Sequence, residues 1–219
     1  MVSGRSPSES APLGPQLYIV TPPVNDACRL AASLEALLDA GDVAALLLRS
    51  TATDEALMRR HVDTIAPLTS RRGAALMVEA MPEMVARTAA DGAHVPDLGG
   101  LSAALKSLKP GRIVGAGGLK TRHDAMVAGE RGADYVMFGE PDATGRRPSL
   151  EALLERVAWW AELFEPPCVG FATNLDEVSR LAEAGADFIA AADLVWQDAD
   201  GPASGLRALL ARLGTGETV

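Results

Sequence analysis

The feature that most constrains the fold is a junction that occurs four times along the chain, where a glycine ends a helical segment and an apolar run follows at once. The four junctions are Gly41-Asp42-Val43, Gly92-Ala93-His94, Gly132-Ala133-Asp134 and Gly185-Ala186-Asp187. In each we expect the glycine to end the helix in the left-handed region and the chain to turn directly into a strand. Helices that alternate in this way with short buried strands predict a parallel α/β fold.

Eight strand–helix pairs can be traced along the chain. The predicted strands lie at 16–20, 43–48, 74–78, 93–95, 113–116, 133–138, 168–171 and 186–191. The second is a continuous apolar run without alternation, which is typical of a strand buried on both faces. After the third strand, Pro82 suits the first turn of a helix that we expect to end at Gly92.

Eight such units in 219 residues predict a single-domain (β/α)8 TIM barrel over residues 16–213, and an open doubly wound sheet is the alternative. Residues 1–15 are rich in Ser, Pro and Gly with little to bury, so a disordered N-terminal tail is expected there. Residues 214–219 are expected to form a short C-terminal tail.

Charge, cysteine content and hydropathy indicate which partners, cross-links and cellular location to expect. The net charge is −9, from 29 acidic and 20 basic residues, and this balance argues against a nucleic-acid or anionic-membrane partner. Cys28 and Cys168 have no paired spacing, so buried free thiols are expected rather than a disulfide or a zinc site. No signal-peptide core and no run of transmembrane length is present, and a cytoplasmic location is the prediction.

Barrel enzymes carry their chemistry just past the carboxyl ends of the strands. Arg49 follows the second strand there, where it is either a phosphate clamp or the salt-bridge partner of Glu79 on the neighbouring strand. Glu79 and Asp97 carry oxygen ligands suited to Mg²⁺, or else they pair with Arg49 and Lys120. Lys120 lies on the loop over the fifth strand.

Two further positions point to phosphate, each with a simpler alternative. Gly117-Gly118 would allow the backbone to approach a phosphate closely, or merely form a tight turn. Thr173 and Asn174 open the seventh helix, where barrels often bind phosphate at a helix N-terminus, although capping explains Asn174 as well. Asp193 follows the eighth strand, where a carboxylate disfavours phosphate.

The remaining aromatic and histidine residues are assigned from their positions. Trp196 follows the eighth strand and is a candidate wall of the site. Trp159, Trp160 and Phe164 are expected in the core of the sixth helix or in a subunit interface, in which case the protein would form a homodimer. Structural roles are expected for the histidines of the second helix and fourth strand, His61 and His94, and His123 is expected on an exposed helix.

The order of these segments resembles the thiamine-phosphate synthase/TenI superfamily over nearly the whole chain. The segments that carry the resemblance are LYIVTPP, ALLLR, GAHVPD, IVGAGGLKTRHDAMVAGERGADYVMFGEP and GADFIAAAD. The resemblance implies a (β/α)8 barrel and an enzyme that joins a pyrimidine pyrophosphate to a thiazole phosphate with Mg²⁺. It also implies Arg49 and Lys120 as catalytic residues in a diverged site, with Glu79 and Asp97 as metal ligands and a phosphorylated heterocycle as the partner.

Several positions depart from the family pattern. Leu47 and Thr51 replace a glutamine and a lysine beside Arg49, and Glu79-Ala80 replaces an asparagine–aspartate pair. Gly117 replaces a serine, Leu119 a histidine used by the TenI branch, and Glu140-Pro141-Asp142 a pyrophosphate loop. These departures keep a second hypothesis open, a non-synthase TenI-like binding or regulatory barrel.

Overall fold

The computed structural model describes residues 14–79, 82–142 and 144–214, and within these ranges it contains eight strands and nine helices. The strands are β1 (Gln16–Val20), β2 (Ala45–Arg49), β3 (Ala75–Glu79), β4 (Gly92–Val95), β5 (Ile113–Ala116), β6 (Tyr135–Phe138), β7 (Cys168–Ala172) and β8 (Phe188–Ala191). The helices are α1 (Ala27–Asp39), α2 (Glu55–Arg71), α3 (Pro82–Val85), α4 (Leu98–Leu108), α5 (Arg122–Glu130), α6 (Leu150–Leu163), α7 (Leu175–Glu183), α8 (Asp193–Trp196) and α9 (Pro202–Gly214).

The strands form a closed parallel barrel in which β1 pairs with both β2 and β8. The predicted (β/α)8 barrel is therefore confirmed, and the open sheet is wrong. The two predicted tails lie outside the described residues except for positions 14, 15 and 214, the last of which ends α9. None of the described helices combines the length and the hydropathy needed to cross a membrane.

Alternate residues of each strand face two different cores. One set points outward against the helices and includes Leu46 and Leu48 of β2. The other fills the barrel interior and includes Leu47 of β2, Tyr18 of β1 and Tyr135 of β6. Both faces of β2 are thus buried, which is why its sequence shows no polar alternation.

The repeated glycine junctions are only half explained by the left-handed conformation. Gly132 and Gly185 have φ of 95° and 90°, as predicted. Gly41 and Gly92 do not have positive φ, and there the prediction is wrong. Gly92 is required for close packing instead, because a Cβ there would lie 2.2 Å from the backbone carbonyl oxygen of Ile113. A Cβ at Gly41 would meet only the movable end of the Leu210 side chain.

Aspartates at three of the strand entries hold neighbouring strands together. Oδ2 of Asp91 accepts a hydrogen bond from the backbone N–H of Leu76 at 2.7 Å. Oδ2 of Asp134 binds the N–H of Val114 in the same way, and Oδ2 of Asp187 that of Cys168. Each carboxylate satisfies an N–H at the start of the preceding strand, which would otherwise lack a partner.

The helix predicted from Pro82 to Gly92 is wrong in length, because α3 ends at Val85. The guanidinium of Arg112 donates hydrogen bonds to the carbonyl groups of the segment that follows, those of Val85, Ala86, Thr88 and Ala90. These carbonyls are therefore satisfied from outside and need no helical partner. The short helix α8 after β8 was not predicted.

Candidate active site

Arg49 and Glu79 form an ion pair at the carboxyl end of the barrel. Their strands place them in register, and Nε of Arg49 lies 2.9 Å from Oε2 of Glu79. Both side chains are about one-third exposed, at 29% and 30%. The N–H of Arg49 also donates to Oγ1 of Thr21 at 3.0 Å, which joins β2 to the end of β1. The salt-bridge interpretation of Arg49 is therefore confirmed. The two terminal nitrogens of the Arg49 guanidinium have no hydrogen-bond partner among the described residues.

Asp97 and Lys120 have local roles on the same rim. Oδ1 of Asp97 accepts a hydrogen bond from the N–H of Gly100 and caps α4. Lys120 is exposed, and its backbone is held by Asp124 and by Arg156, whose Nη2 donates to the Lys120 carbonyl oxygen. Within the described ranges no ion pair joins Asp97 to Lys120, so that alternative for Asp97 is wrong.

The Gly117-Gly118 turn is shaped by neighbouring protein groups. A Cβ at Gly117 would lie 2.0 Å from Oε2 of Glu140 and 2.5 Å from Nε2 of His94. Gly118 has φ of 62°, and a Cβ there would lie 1.9 Å from the carbonyl oxygen of Pro96. Its N–H already donates to Oε2 of Glu140 at 3.1 Å. The structure thus favours the turn interpretation of these glycines, and phosphate binding by them stays a prediction.

Thr173 and Asn174 meet a carboxylate at the N-terminus of α7. Oδ1 of Asn174 accepts a hydrogen bond from the N–H of Glu177, so the capping role is confirmed. Oε2 of Glu177 accepts from the N–H and the hydroxyl of Thr173 at 2.8 and 3.0 Å, and Arg147 Nη1 reaches it at 2.8 Å. The predicted phosphate position is thus filled by a carboxylate of the chain itself.

Arg147 connects the loop after β6 to the N-terminus of α7. Its Nε donates to the carbonyl oxygen of Gly139 and its Nη2 to that of Phe171, which ties the loop after β6 to the end of β7. Burial raises the pKa of Glu177, but the hydrogen bond and the charge of Arg147 outweigh it, and the pKa lies below its ordinary value. Glu177 therefore remains a carboxylate in the folded protein at neutral pH.

A chain of polar side chains crosses the barrel interior and ends at the mouth. Tyr18 Oη lies 2.7 Å from Tyr135 Oη, which in turn lies 2.9 Å from Nδ1 of His94. Nε2 of His94 lies 3.1 Å from Oε1 of Glu140, and Glu140 accepts the N–H of Gly118. The members come from β1, β6 and β4 and from the loop after β6.

The pKa values of three side chains in this hydrogen-bond chain are shifted from their ordinary values. Burial raises the pKa of Tyr18 and of Tyr135 well above the ordinary range, so both phenols stay protonated. For Glu140 burial also raises the pKa, but the facing imidazole of His94, the Gly118 N–H and the charge of Arg49 outweigh it, and the pKa lies below its usual value. Glu140 is therefore an ionised carboxylate.

Sequence reasoning missed this chain. His94 was expected to be structural, and Glu140 was noted only as a departure from the family pattern. The signal was at the end of β5, where glycines alternate at 115, within the strand, and 117, directly after it. A Cβ at Gly115 would lie 1.9 Å from the ring of Tyr135, and one at Gly117 would overlap the His94–Glu140 pair. Because these two glycines lack side chains, the hydrogen-bonded residues Tyr135, His94 and Glu140 can occupy the space beside them.

Residues 17–195 match the family model described as thiamine monophosphate synthase. The chain belongs to this family. The thiamine-phosphate synthase of Rhodospirillum centenum is similar to this family member, with 40% identity over 193 residues that cover 86% of this chain and 93% of that protein. A second thiamine-phosphate synthase, from Hyphomonas neptunium, is 34% identical over 201 residues, which cover 88% and 91%.

Solved structures confirm the fold of this thiamine monophosphate synthase family member. Thiamine phosphate pyrophosphorylase from Pyrococcus furiosus superposes with a TM-score of 0.76 at 23% identity, and the match covers 93% of this chain and 97% of that chain. The 3-hexulose-6-phosphate synthase of Salmonella typhimurium gives 0.68 at 16% identity, with 91% and 99% covered. At these identities the likeness concerns the barrel alone.

The carboxylates at the rim of this family member do not form a metal cage. Among the described residues no group of three or more His, Cys, Asp or Glu side chains is placed to hold a metal ion. Glu79 and Asp97 each use one carboxylate oxygen for a protein hydrogen bond and keep the other. Mg²⁺ commonly binds through one or two carboxylates together with substrate phosphates and water. The two residues thus fit only an ion that arrives with a phosphorylated substrate.

The remaining rim residues are placed as follows. Nε1 of Trp196 donates to the carbonyl oxygen of Val20 at 2.8 Å, and its side chain packs against the outer core between strands and helices. A role for Trp196 as a wall of the site stays a prediction. Trp160 is fully buried and stacks on Phe164, so the core interpretation is confirmed for Trp160, whereas Trp159 and Phe164 are partly buried and pack against the same core. His61 is buried with Nδ1 2.7 Å from Oγ of Ser50, and His123 is exposed, both as expected.

Proposed function

We propose that the protein is a thiamine-phosphate synthase, which couples hydroxymethylpyrimidine pyrophosphate with thiazole phosphate and releases pyrophosphate. The observation that carries the proposal is the geometry of Arg49 in a chain 40% identical to a thiamine-phosphate synthase. Glu79 holds Nε of Arg49, and the two terminal nitrogens remain for an oxyanion at the barrel mouth. Guanidinium groups bind phosphates through such paired N–H donors.

In the proposed reaction the bond between the pyrimidine methylene carbon and the pyrophosphate oxygen breaks, and the oxygen leaves with the electron pair. The ring nitrogen of the thiazole then forms the new carbon–nitrogen bond. Arg49 would bind the departing pyrophosphate, and Glu79 would keep its guanidinium in place. Preorganised positive charge of this kind stabilises the charge that develops in the transition state.

A magnesium ion belongs to this proposal. Glu79 and Asp97 would hold it through the carboxylate oxygens that no protein donor uses. When bound with the substrate, Mg²⁺ supplies charge neutralisation for the leaving pyrophosphate. Lys120, on the exposed loop after β5, would add a further positive charge at the rim. A cytoplasmic location and a homodimer stay predictions.

The test is a turnover assay with both phosphorylated substrates and Mg²⁺, together with growth of a strain that lacks its own thiamine-phosphate synthase. We expect formation of thiamine phosphate and restored growth. A folded protein that forms no product and restores no growth would retire the proposal.

A second candidate is a TenI-like binding or regulatory barrel without synthase activity. The observation that favours it is Glu177, whose carboxylate occupies the N-terminus of α7, where many barrels bind a phosphate. Under this alternative, thiazole phosphate or thiamine phosphate would raise the melting temperature of the protein without being turned over.

A further inference from the structure

The loop between β5 and α5 is held by side chains from several parts of the chain. The N–H of Gly118 donates to Oε2 of Glu140 at 3.1 Å. The N–H groups of Lys120 and Thr121 donate to Oδ2 of Asp124 at 3.1 and 2.9 Å. Loops are commonly more mobile than the elements they connect, but here each of these backbone donors has a fixed acceptor.

Arg156 of α6 binds the carbonyl groups of the same loop. Its Nη1 donates to the carbonyl oxygen of Leu119 at 2.9 Å, and its Nη2 donates to that of Lys120 at 3.1 Å. A planar guanidinium presents its donors in a rigid fork, whereas an ammonium is a single point of charge. Arg156 therefore fixes the orientation of two consecutive carbonyl groups at once.

The two peptide groups that flank Lys120 are each held at both ends. Their carbonyl oxygens accept hydrogen bonds from Arg156, and their N–H groups donate to Asp124. Because the C=O and N–H of a trans peptide point in opposite directions, Arg156 and Asp124 hold the loop from opposite sides. The main-chain conformation of Lys120 is thereby fixed.

The contacts of Arg156 are made to the loop and to an aromatic ring. No salt bridge of Arg156 occurs within residues 14–79, 82–142 and 144–214. Its guanidinium lies 5.9 Å from the centroid of the Phe138 ring, and burial together with the positive charge of Arg122 lowers its pKa. A partly buried cation without a carboxylate partner is costly. What Arg156 gains in this position is the pair of hydrogen bonds to the loop.

The side chain of Lys120 is left available for a ligand. It is exposed, and it has no hydrogen-bond or ion-pair partner in the part of the chain that the structure describes. Leu119 before it is 5% exposed and packs in the outer core, which anchors the loop further. A charge on a preorganised main chain loses little freedom when it meets an anion.

We propose that Arg156 is a positioning residue that holds Lys120 where its ammonium binds the pyrophosphate of the substrate. The inference rests on the proposed function, in which Lys120 adds positive charge at the rim. Arg156 touches no substrate in this role. It acts through the two peptide groups that flank Lys120.

The experiment is a double-mutant cycle on the full chain, with inorganic pyrophosphate and Mg²⁺ as the probe and calorimetry as the measurement. Lys120→Met and Arg156→Ala should each weaken binding by roughly 10- to 100-fold, as expected for loss of a hydrogen bond to a charged group. The double variant should bind about as weakly as Lys120→Met alone, because Arg156 has then nothing left to position. Losses that add in the double variant would overturn the proposal, and so would a Lys120→Met protein with wild-type affinity.

Two further variants separate position from charge. Arg156→Lys keeps the charge but not the fork, so its affinity should lie between those of wild type and Arg156→Ala. Wild-type affinity in Arg156→Lys would contradict the proposal. Arg122→Ala is the matched control, because this neighbouring guanidinium binds Glu155 and lies over the ring of Trp159, and its loss should change the affinity little. An equal loss in Arg122→Ala would assign the effect to charge alone.

Hydrogen exchange tests the positioning without any ligand. In Arg156→Ala the amides of Lys120 and Thr121 should exchange faster, while that of Val114 within β5 should exchange as in the wild type. Unchanged exchange at the two loop amides would reject the positioning role. If Arg156→Ala does not fold, Arg156→Lys carries the same exchange measurement and the same cycle.

Turnover separates this inference from the proposed function. In an active synthase, Arg156→Ala should lower kcat by about 100-fold, since displacement of a catalytic group by about 1 Å can cost this much, and the loss should vanish in the Lys120→Met background. Turnover with additive losses overturns the role of Arg156 alone. Coupled losses of pyrophosphate affinity without turnover retire the synthase activity and leave the positioning role intact.

Discussion

Nε2 of His94 lies 3.1 Å from Oε1 of Glu140, and the two side chains can meet there because residue 117 beside them has no side chain. Any side chain at this position would displace the pair, because its Cβ would lie 2.0 Å from Oε2 of Glu140 and 2.5 Å from Nε2 of His94.

Gly117→Ala should displace the His94–Glu140 pair. The new Cβ would lie 2.0 Å from Oε2 of Glu140, and overpacking of this kind costs about 1–3 kcal/mol. We expect a lower free energy of unfolding in urea and a loss of activity. Gly111→Ala is the matched control, because no atom lies within 4 Å of its Cβ position, and it should behave as the wild type. Equal stability of the two variants would show that the mouth is looser than the structure indicates.

Arg49→Ala should reduce activity far more than stability. Exposed or half-exposed ion pairs contribute about 0–1 kcal/mol, so the melting temperature should change little. Loss of a group that stabilises transition-state charge commonly lowers kcat by roughly 100- to 1,000-fold. Arg71→Ala, which breaks the exposed ion pair with Glu35, serves as the control and should leave kcat unchanged. A synthase that tolerates Arg49→Ala would place the phosphate site elsewhere.

Arg147→Ala should destabilise the protein and alter its acid denaturation. It leaves Glu177 without its cation and removes the donors to two carbonyl groups, at a cost of about 3–5 kcal/mol. Because the folded-state pKa of Glu177 is lowered, the ion-pair contribution is complete above the ordinary glutamate pKa of about 4.3 and is lost as pH falls below it. The difference in unfolding free energy between wild type and variant should shrink in that acid range.

The control for this measurement is Arg180→Ala. Arg180 lies on α7, the helix that carries Glu177, and its contact with Asp176 is long and exposed. This variant should leave the pH dependence unchanged. A difference between wild type and Arg147→Ala that stays constant down to strongly acidic pH would refute the ion pair as its source.

Asp187→Ala should weaken the attachment of β8 to β7. The substitution removes the acceptor for the Cys168 N–H, and a buried N–H without a partner costs about 1–3 kcal/mol. Hydrogen exchange of the β7 amides should become faster, with little change elsewhere. Asp176→Ala, on the exposed face of α7, is expected to leave that exchange as in the wild type, and equal exchange in both variants would argue against the strand-linking role.

Much of the architecture follows from local sequence. The apolar runs and helix-ending residues predicted eight strand–helix pairs, because a strand buried on both faces must be continuously apolar and Gly132 or Gly185 can end a helix at positive φ. Arg49 and Glu79 could also be paired from sequence, since both end neighbouring parallel strands. These are properties of single segments or of consecutive ones.

The tertiary structure decided what could not be inferred from any single segment. Arg112 satisfies carbonyls between Val85 and Ala90 from 22 to 27 residues away and so shortens α3. Tyr18, Tyr135 and His94 form one hydrogen-bond chain only because closure of the barrel brings β1, β4 and β6 around the same interior. The sequence by itself determined the barrel and the family, because these depend on periodicity and local motifs. The charge and hydrogen-bond state of the mouth depend on side chains far apart in the chain, and only the folded barrel decided them.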